Sequence, residues 1–220
     1  MRKLVNLSLA FFVLSFASLQ SGCLKDNSSS TYPDVTASAD TIMGILKYKQ
    51  TDTSGTKLVD WHFGTGNIRA VIESENIATA AVESDGTFML ILPKTISGAY
   101  FTSLSDIANT QGGTIKVTPE TVKFMGSLQF MVDYTENGKA KSVTINLARL
   151  NTDLSVYRTY YYIFYDSDGS FTGKATTGNI FSWTFIKGWG MVESYIMNSS
   201  TNSINSRSVN AAPANATWSN

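Results

Sequence analysis

The chain is short of the residues that most site chemistry needs. Its 220 residues hold one cysteine and one histidine. A lone Cys excludes an intrachain disulfide framework, and the pair excludes a Cys/His zinc site. Any nucleophile activated by imidazole must use His62. Charged residues make up only 15% of the chain, against about 25% in an average domain. The 17 basic and 17 acidic side chains cancel, so no basic excess points to nucleic acid. Proline is scarce at 4. There is no G-x-S-x-G, no H-E-x-x-H and no Gly-rich phosphate loop. What is abundant is aromatic: 10 Tyr and 12 Phe bring the aromatic share to 12%. This composition is neither disordered nor collagenous.

The N-terminus reads as an address. Arg2 and Lys3 precede a mostly apolar run from Leu4 to Leu19, then Ser21, Gly22 and Cys23. The run is too short for a membrane span. It resembles a bacterial lipoprotein signal, in which the cysteine is acylated and becomes the new N-terminus. Gln20 stands where that pattern usually has Leu, with Leu19 one position early. The resemblance implies removal of residues 1–22 and a lipid anchor, palmitate or a similar acyl chain, on Cys23. Two or more acyl chains make a stable membrane anchor. Cys23-Leu24-Lys25-Asp26-Asn27 further resembles the surface-export signal of Bacteroidota lipoproteins. That implies an outer-membrane protein facing the cell exterior. Residues 23–38, with Ser28 to Thr31 inside them, form a polar tether. The mature chain carries 15 basic and 17 acidic side chains, a net charge of −2.

Between residues 39 and 197 the pattern is β-rich. Lys141 to Leu150 alternates, with Val143, Ile145 and Leu147 on one side. Asp85-Gly86 and Asn137-Gly138 sit between apolar runs and predict tight hairpins. Tyr100 to Asn109 is the one plausible helix, with Ser103 as its cap. About eleven short strands are expected, and no crossover helices for a parallel sheet. The expected class is all-β. A mostly antiparallel β-sandwich is preferred, with a β-barrel or two small sandwich subdomains as alternatives. Gln111-Gly112-Gly113 places a candidate internal boundary near residue 112. Residues 198–220 are rich in Asn, Ser and Ala without apolar periodicity, and read as a flexible tail.

Two resemblances bear on the fold. Ala78 to Phe88, ending at Leu92-Pro93, resembles the hairpin of carboxypeptidase-regulatory-like, prealbumin-type sandwich modules, which are structural or adhesive. The combination of a lipoprotein start with Asp85 to Pro93, Tyr160 to Gly173 and Lys187-Gly188-Trp189 resembles a group of Bacteroidota surface lipoproteins. That resemblance implies a cell-envelope location and carries no activity with it.

Candidate site residues are few. His62 reads first as an ordinary strand or loop side chain. Asp166-Ser167-Asp168-Gly169 reads first as a hairpin turn. Its alternating oxygens give a calcium alternative through Asp166 and Asp168, without the third oxygen or terminal Glu of an EF-hand. No catalytic residue and no cofactor beyond the lipid is assigned. The aromatics are the main surplus. On the strand from Val156, Tyr160, Tyr162 and Phe164 share one face, and Tyr157, Tyr161 and Tyr165 the other. One face is expected in the core. The set Tyr157, Tyr161, Tyr165, Trp183 and Trp189 is the candidate binding strip for a protein or glycan partner, unless a second layer covers it. The expected function is a non-enzymatic surface lipoprotein acting as a binding or assembly module. The rivals are a hydrophobic-ligand carrier with an internal cavity and a glycan-directed hydrolase with paired carboxylates.

Overall fold

The structure, a computed structural model, describes residues 32–53, 55–126, 128–151, 154, 156–198 and 203–220. The expected signal, the lipidation site Cys23 and the tether up to residue 31 lie outside the described residues.

The first half contains β1 (Val35–Thr36), β2 (Thr41–Asp52), β3 (Gly55–Asp60), β4 (Gly66–Ile72), β5 (Glu75–Val82), β6 (Thr87–Ile91), β7 (Thr95–Ile96) and β8 (Phe101–Ser103). There follow α1 (Leu104–Gln111), β9 (Lys116–Thr118) and β10 (Lys123–Met125). The second half contains β11 (Gln129–Glu136), β12 (Lys139–Leu150), β13 (Val156–Tyr165), β14 (Gly169–Lys174), β15 (Ile180–Phe185), β16 (Gly188–Asn198), β17 (Ser203–Val209) and β18 (Thr217–Ser219). The helix starts where the sequence places its cap: Ser103 Oγ accepts from Asp106 N at 3.2 Å. Both expected hairpins form. Glu136 pairs with Lys139 across Asn137 and Gly138, at φ 51° and 74°. The Asp85 carboxylate accepts from Thr87 N at 2.9 Å, which fixes the exit of the β5–β6 turn.

Seven strands close into a barrel in the order β11, β4, β5, β6, β2, β18, β12, with β12 pairing back to β11. The all-β class is therefore observed, in its barrel form. The preferred sandwich is replaced because the last strand bridges two others. β18 runs parallel to β2 and antiparallel to β12, with Trp218 opposite both Leu46 and Leu147. Side chains fill the barrel interior. Phe88 and Phe130 meet the Trp218 ring edge-on at 5.6 and 5.0 Å, and Tyr162 lies 5.8 Å from Phe130. Gly44 makes this fit: a Cβ there would lie 2.5 Å from Trp218 Cδ1 and 2.9 Å from Phe88 Cε1.

The flexible tail expected at 198–220 is corrected by the same observation. β17 and β18 both lie within it, and Trp218 is buried. The sequence hides this because β17 buries Ser203 and Ser206 and only one aliphatic side chain, Ile204. Ser206 Oγ accepts from the Trp183 indole at 2.8 Å, so its hydroxyl has the partner that burial demands.

Beyond the barrel, the far end of β12 leads into an outer sheet in the order β13, β16, β17, β15, β14, β9. All of its pairings are antiparallel except β15 with β17. Strand β13 serves two cores. Tyr160, Tyr162 and Phe164 pack into the barrel core, while Ile163 and Tyr165 pack with Phe171, Trp183, Phe185 and Leu104 of α1. The cores interleave along the chain, so residue 112 does not separate them.

Candidate binding cleft

Covering both faces of β13 disposes of the aromatic strip. Tyr165 is buried and stacks on Phe185 at 3.9 Å. Trp183 is buried in the same outer core, and Tyr161 packs against it. Trp189 is half-buried, donates from Nε1 to Pro93 O at 2.9 Å, and meets Phe164 edge-on at 5.0 Å. Only Tyr157 of the expected five is exposed, at 44%.

Tyr165 and Trp189 nevertheless meet at one place. A cleft of about 950 Å³ lies where the barrel joins the outer sheet. One wall is the outward face of β2, with Met43 and Ile45. Phe185, Ile186 and Trp189, at and beside the β15–β16 connection, line it as well. The floor includes Tyr162 and Met191, which are direct partners across β13 and β16. Residues 210–216, four alanines among them, lead from the end of β17 to β18, and all but Asn215 border the cleft. Small side chains there leave room that larger ones would fill.

The cleft mixes apolar and polar groups, and its most exposed side chains are apolar. Met43 and Ile186 are 71% and 72% exposed, the largest values for big apolar side chains among the described residues. The exposed surface continues sideways from Met43 to its cross-strand partner Met89, and on to Ile91. Exposed methionines suit adaptable apolar recognition, because the side chain is flexible and polarisable. Its polar lining comes from Thr41, Thr184, Ser208, Asn210 and Thr217, with Asp40 and Lys47 as the charged groups. Asp40 accepts from Thr41 N at 2.8 Å, and Lys47 forms an ion pair with Asp60. The Tyr165 hydroxyl is buried without a partner among the described residues, and burial raises its pKa. Asp40 is the one carboxylate among the described lining residues.

No protein-family model, curated protein or solved structure matches the chain.

The remaining sequence candidates lie elsewhere. His62 is exposed, its Nδ1 lies 3.1 Å from Asp60 O, and its ring lies 4.1 Å from Phe63. Asp166 accepts from Lys123 N at 2.8 Å, and Asp168 from Lys187 N at 2.7 Å. Each carboxylate thus ties the β13–β14 turn to a different segment. No group of three His, Cys, Asp or Glu side chains gathers for a metal among the described residues. Asp133 is held by both Arg69 Nε and Nη2, at 2.6 and 3.0 Å.

Sequence reasoning missed two groups. The first is Met43 and Ile45. Their signal was present: β2 carries apolar residues on both faces, Ile42 and Leu46 inward and these two outward. The second is a charge cluster around Glu193, which is buried. Its Oε1 accepts from Arg158 Nη1 at 2.7 Å and from the Tyr160 hydroxyl at 3.0 Å, and its Oε2 from Arg207 Nε at 2.8 Å. Burial pushes the Glu193 pKa up, but the three donors outweigh it and hold it below the ordinary value. Burial and the bond to Glu193 push the Tyr160 hydroxyl up to about 12.

Proposed function

We propose that the chain is a non-enzymatic binding or assembly module of the cell surface, anchored by lipid on Cys23. The cleft between barrel and outer sheet is its binding site. Its occupant is an extended, mainly apolar segment of a partner protein. The observation that carries this reading is the exposure of Met43 and Ile186, which line the same cleft, continued by Met89 and Ile91. Contiguous exposed apolar surface of this kind marks interaction sites. Its sideways continuation suits an extended occupant better than a compact one. A glycosidase working through paired carboxylates in this cleft would need a second one beside Asp40. A carrier with a closed cavity would need an emptier barrel, whose interior Trp218, Phe88 and Phe130 occupy.

A second reading keeps the same cleft for a small apolar ligand. It is favoured by the volume of about 950 Å³, within the roughly 300–1,000 Å³ of small-molecule sites.

One experiment separates the two. A photoreactive residue replaces Ile186 in the membrane-bound protein, and a second variant carries it at Ile196, exposed on β16. The expected result is one dominant protein adduct from position 186, absent from position 196 and suppressed by Met43→Glu. Equal adducts from both positions would sink the cleft reading. A small-molecule adduct at position 186 would replace the first reading with the second. The anchor is checked separately: Cys23→Ser moves the protein from the membrane fraction to the soluble one and removes the acyl mass.

A further inference from the structure

The charge cluster around Glu193 holds more cation than its own carboxylate uses. Three guanidiniums lie on one sheet face, on β12, β13 and β17, with β16 and its Glu193 between the last two. Arg149 on β12 is the cross-strand partner of Arg158 on β13, and Glu193 on β16 is the partner of Arg207 on β17. Like charges directly opposite each other destabilise a sheet. Glu193 answers Arg158 and half of Arg207, and the cluster keeps a net charge of +2. Arg207 uses only Nε on Glu193 and is 54% exposed, so its two terminal nitrogens have no partner among the described residues. Arg149 meets no carboxylate there either; it lies 5.9 Å from the Tyr157 ring.

A β-bulge assembles this group. Arg149 opposes Arg158, but the next residue, Leu150, opposes Val156, so Tyr157 has no partner across the ladder. Strict alternation would put Tyr157 on the face of Tyr161, away from Arg158. The bulge instead brings its ring 5.0 Å from the Arg158 guanidinium, with its hydroxyl accepting from Arg158 Nη2 at 3.4 Å. Bulges commonly re-aim a side chain beside a functional site. On the other side, Tyr195 lies 4.7 Å from Arg158. The two rings and Glu193 fix the central guanidinium, while Arg149 and Arg207 flank it.

We propose that this face is a binding site for an acidic polysaccharide, separate from the apolar cleft. Neighbouring strands lie about 4.8 Å apart, so arginines on β12, β13 and β17 meet a run of anions rather than one. Guanidinium forks match carboxylate and sulfate geometry. Exposed Tyr157 beside them adds apolar contact for a sugar ring. A single-stranded nucleic acid would meet the same charges, and the test includes one as the competing outcome.

The test uses the purified full chain with polygalacturonate, chondroitin sulfate, neutral dextran and a single-stranded oligodeoxynucleotide, each followed by affinity electrophoresis. The expected result is binding to one or both acidic polysaccharides and none to dextran, weakening about tenfold or more between 50 and 200 mM NaCl. Polygalacturonate alone would assign carboxylates, and chondroitin sulfate alone would assign sulfates. Arg149→Gln and Arg207→Gln each weaken binding about tenfold with the unfolding midpoint monitored, and Tyr157→Ala about threefold. Lys139→Gln, at the distant β11–β12 turn, removes the same charge and leaves binding unchanged. No binding to either polysaccharide overturns the proposal. So does an equal loss in Lys139→Gln, or tighter binding of the oligonucleotide. Arg149→Gln and Arg207→Gln leave adducts from position 186 unchanged, so this site and the cleft fail independently.

Discussion

The barrel and the outer sheet bury apolar side chains by different means. In the barrel every strand has a partner on both sides, and the ladder returns to its start. Closure of that kind removes the exposed edge that an open sheet must protect. Its strands alternate plainly: Phe130, Val132 and Tyr134 of β11 point inward. The outer sheet ends on β9, only three residues long, and covers its far face with α1. Its strand β13 is apolar on both faces. The comparison teaches where the fold is coupled. The barrel's closing strand is supplied from beyond the outer sheet, by residues 217–219, so the barrel closes only after the chain has passed through β13 to β17. The segment 210–216 makes that link and borders the cleft.

Breaking the closure should have the largest effect. Trp218→Ala removes the ring that Phe88 and Phe130 pack against and is expected to cost about 3–5 kcal/mol, read as a lower urea midpoint. An unchanged midpoint would mean that β18 does not hold the barrel shut. Gly44 sharpens the point. Gly44→Ala places a methyl against the indole and should cost about 1–3 kcal/mol by overpacking. In the Trp218→Ala background that cost should shrink, because the methyl enters vacated space. Equal costs in both backgrounds would show that the two residues do not touch.

The difference between the regions also explains what the sequence made legible. Local signals read correctly: the Asn137-Gly138 hairpin, the Asp85-Gly86 turn and the Ser103 cap each depend on residues within a few positions. The all-β class followed from the same turns and from missing helical periodicity. Barrel closure was not legible, because β18 offers three residues and β17 buries Ser203 and Ser206. The five aromatics looked alike in sequence, yet the second core covers Tyr165 and Trp183 and a bulge turns Tyr157 aside. The cleft needs Met43 and Ile186, which are far apart in sequence. Glu193 looked like any strand carboxylate until register brought Arg158 and Arg207 to it.

Glu193 joins two outer strands, and its removal should have an intermediate effect. Glu193→Gln weakens charge-assisted bonds from Arg158 and Arg207 and should cost about 1.5–3 kcal/mol at neutral pH. The pH dependence has a definite sign. A depressed folded pKa means that the carboxylate stabilises the fold above its unfolded value of about 4.3. That contribution is lost as pH falls through the folded value. The gap between wild type and Glu193→Gln should therefore be widest near pH 7 and narrow below pH 4, in urea titrations at each pH. A gap that widens on acidification would mean that burial, not the arginines, sets the charge state of Glu193.

The smallest effect belongs to the cover of the outer core. Helix α1 has eight residues, too few to be stable alone in water. Leu104 docks it onto Phe124, Tyr165 and Phe185, and Ser103 satisfies one of its free N–H groups. Ser103→Ala should cost about 1 kcal/mol, since the Asp106 N–H then loses its acceptor. Ser103→Asp should restore most of the loss, because aspartate caps as well as serine and its charge suits the positive end of the helix. If both variants lose the same amount, the Ser103 side chain stabilises β8 in its ladder with β10 rather than capping the helix. Protection of the α1 amides in hydrogen exchange distinguishes the two: a lost cap lowers protection in the first turn, while a weakened ladder lowers it in β8 and β10.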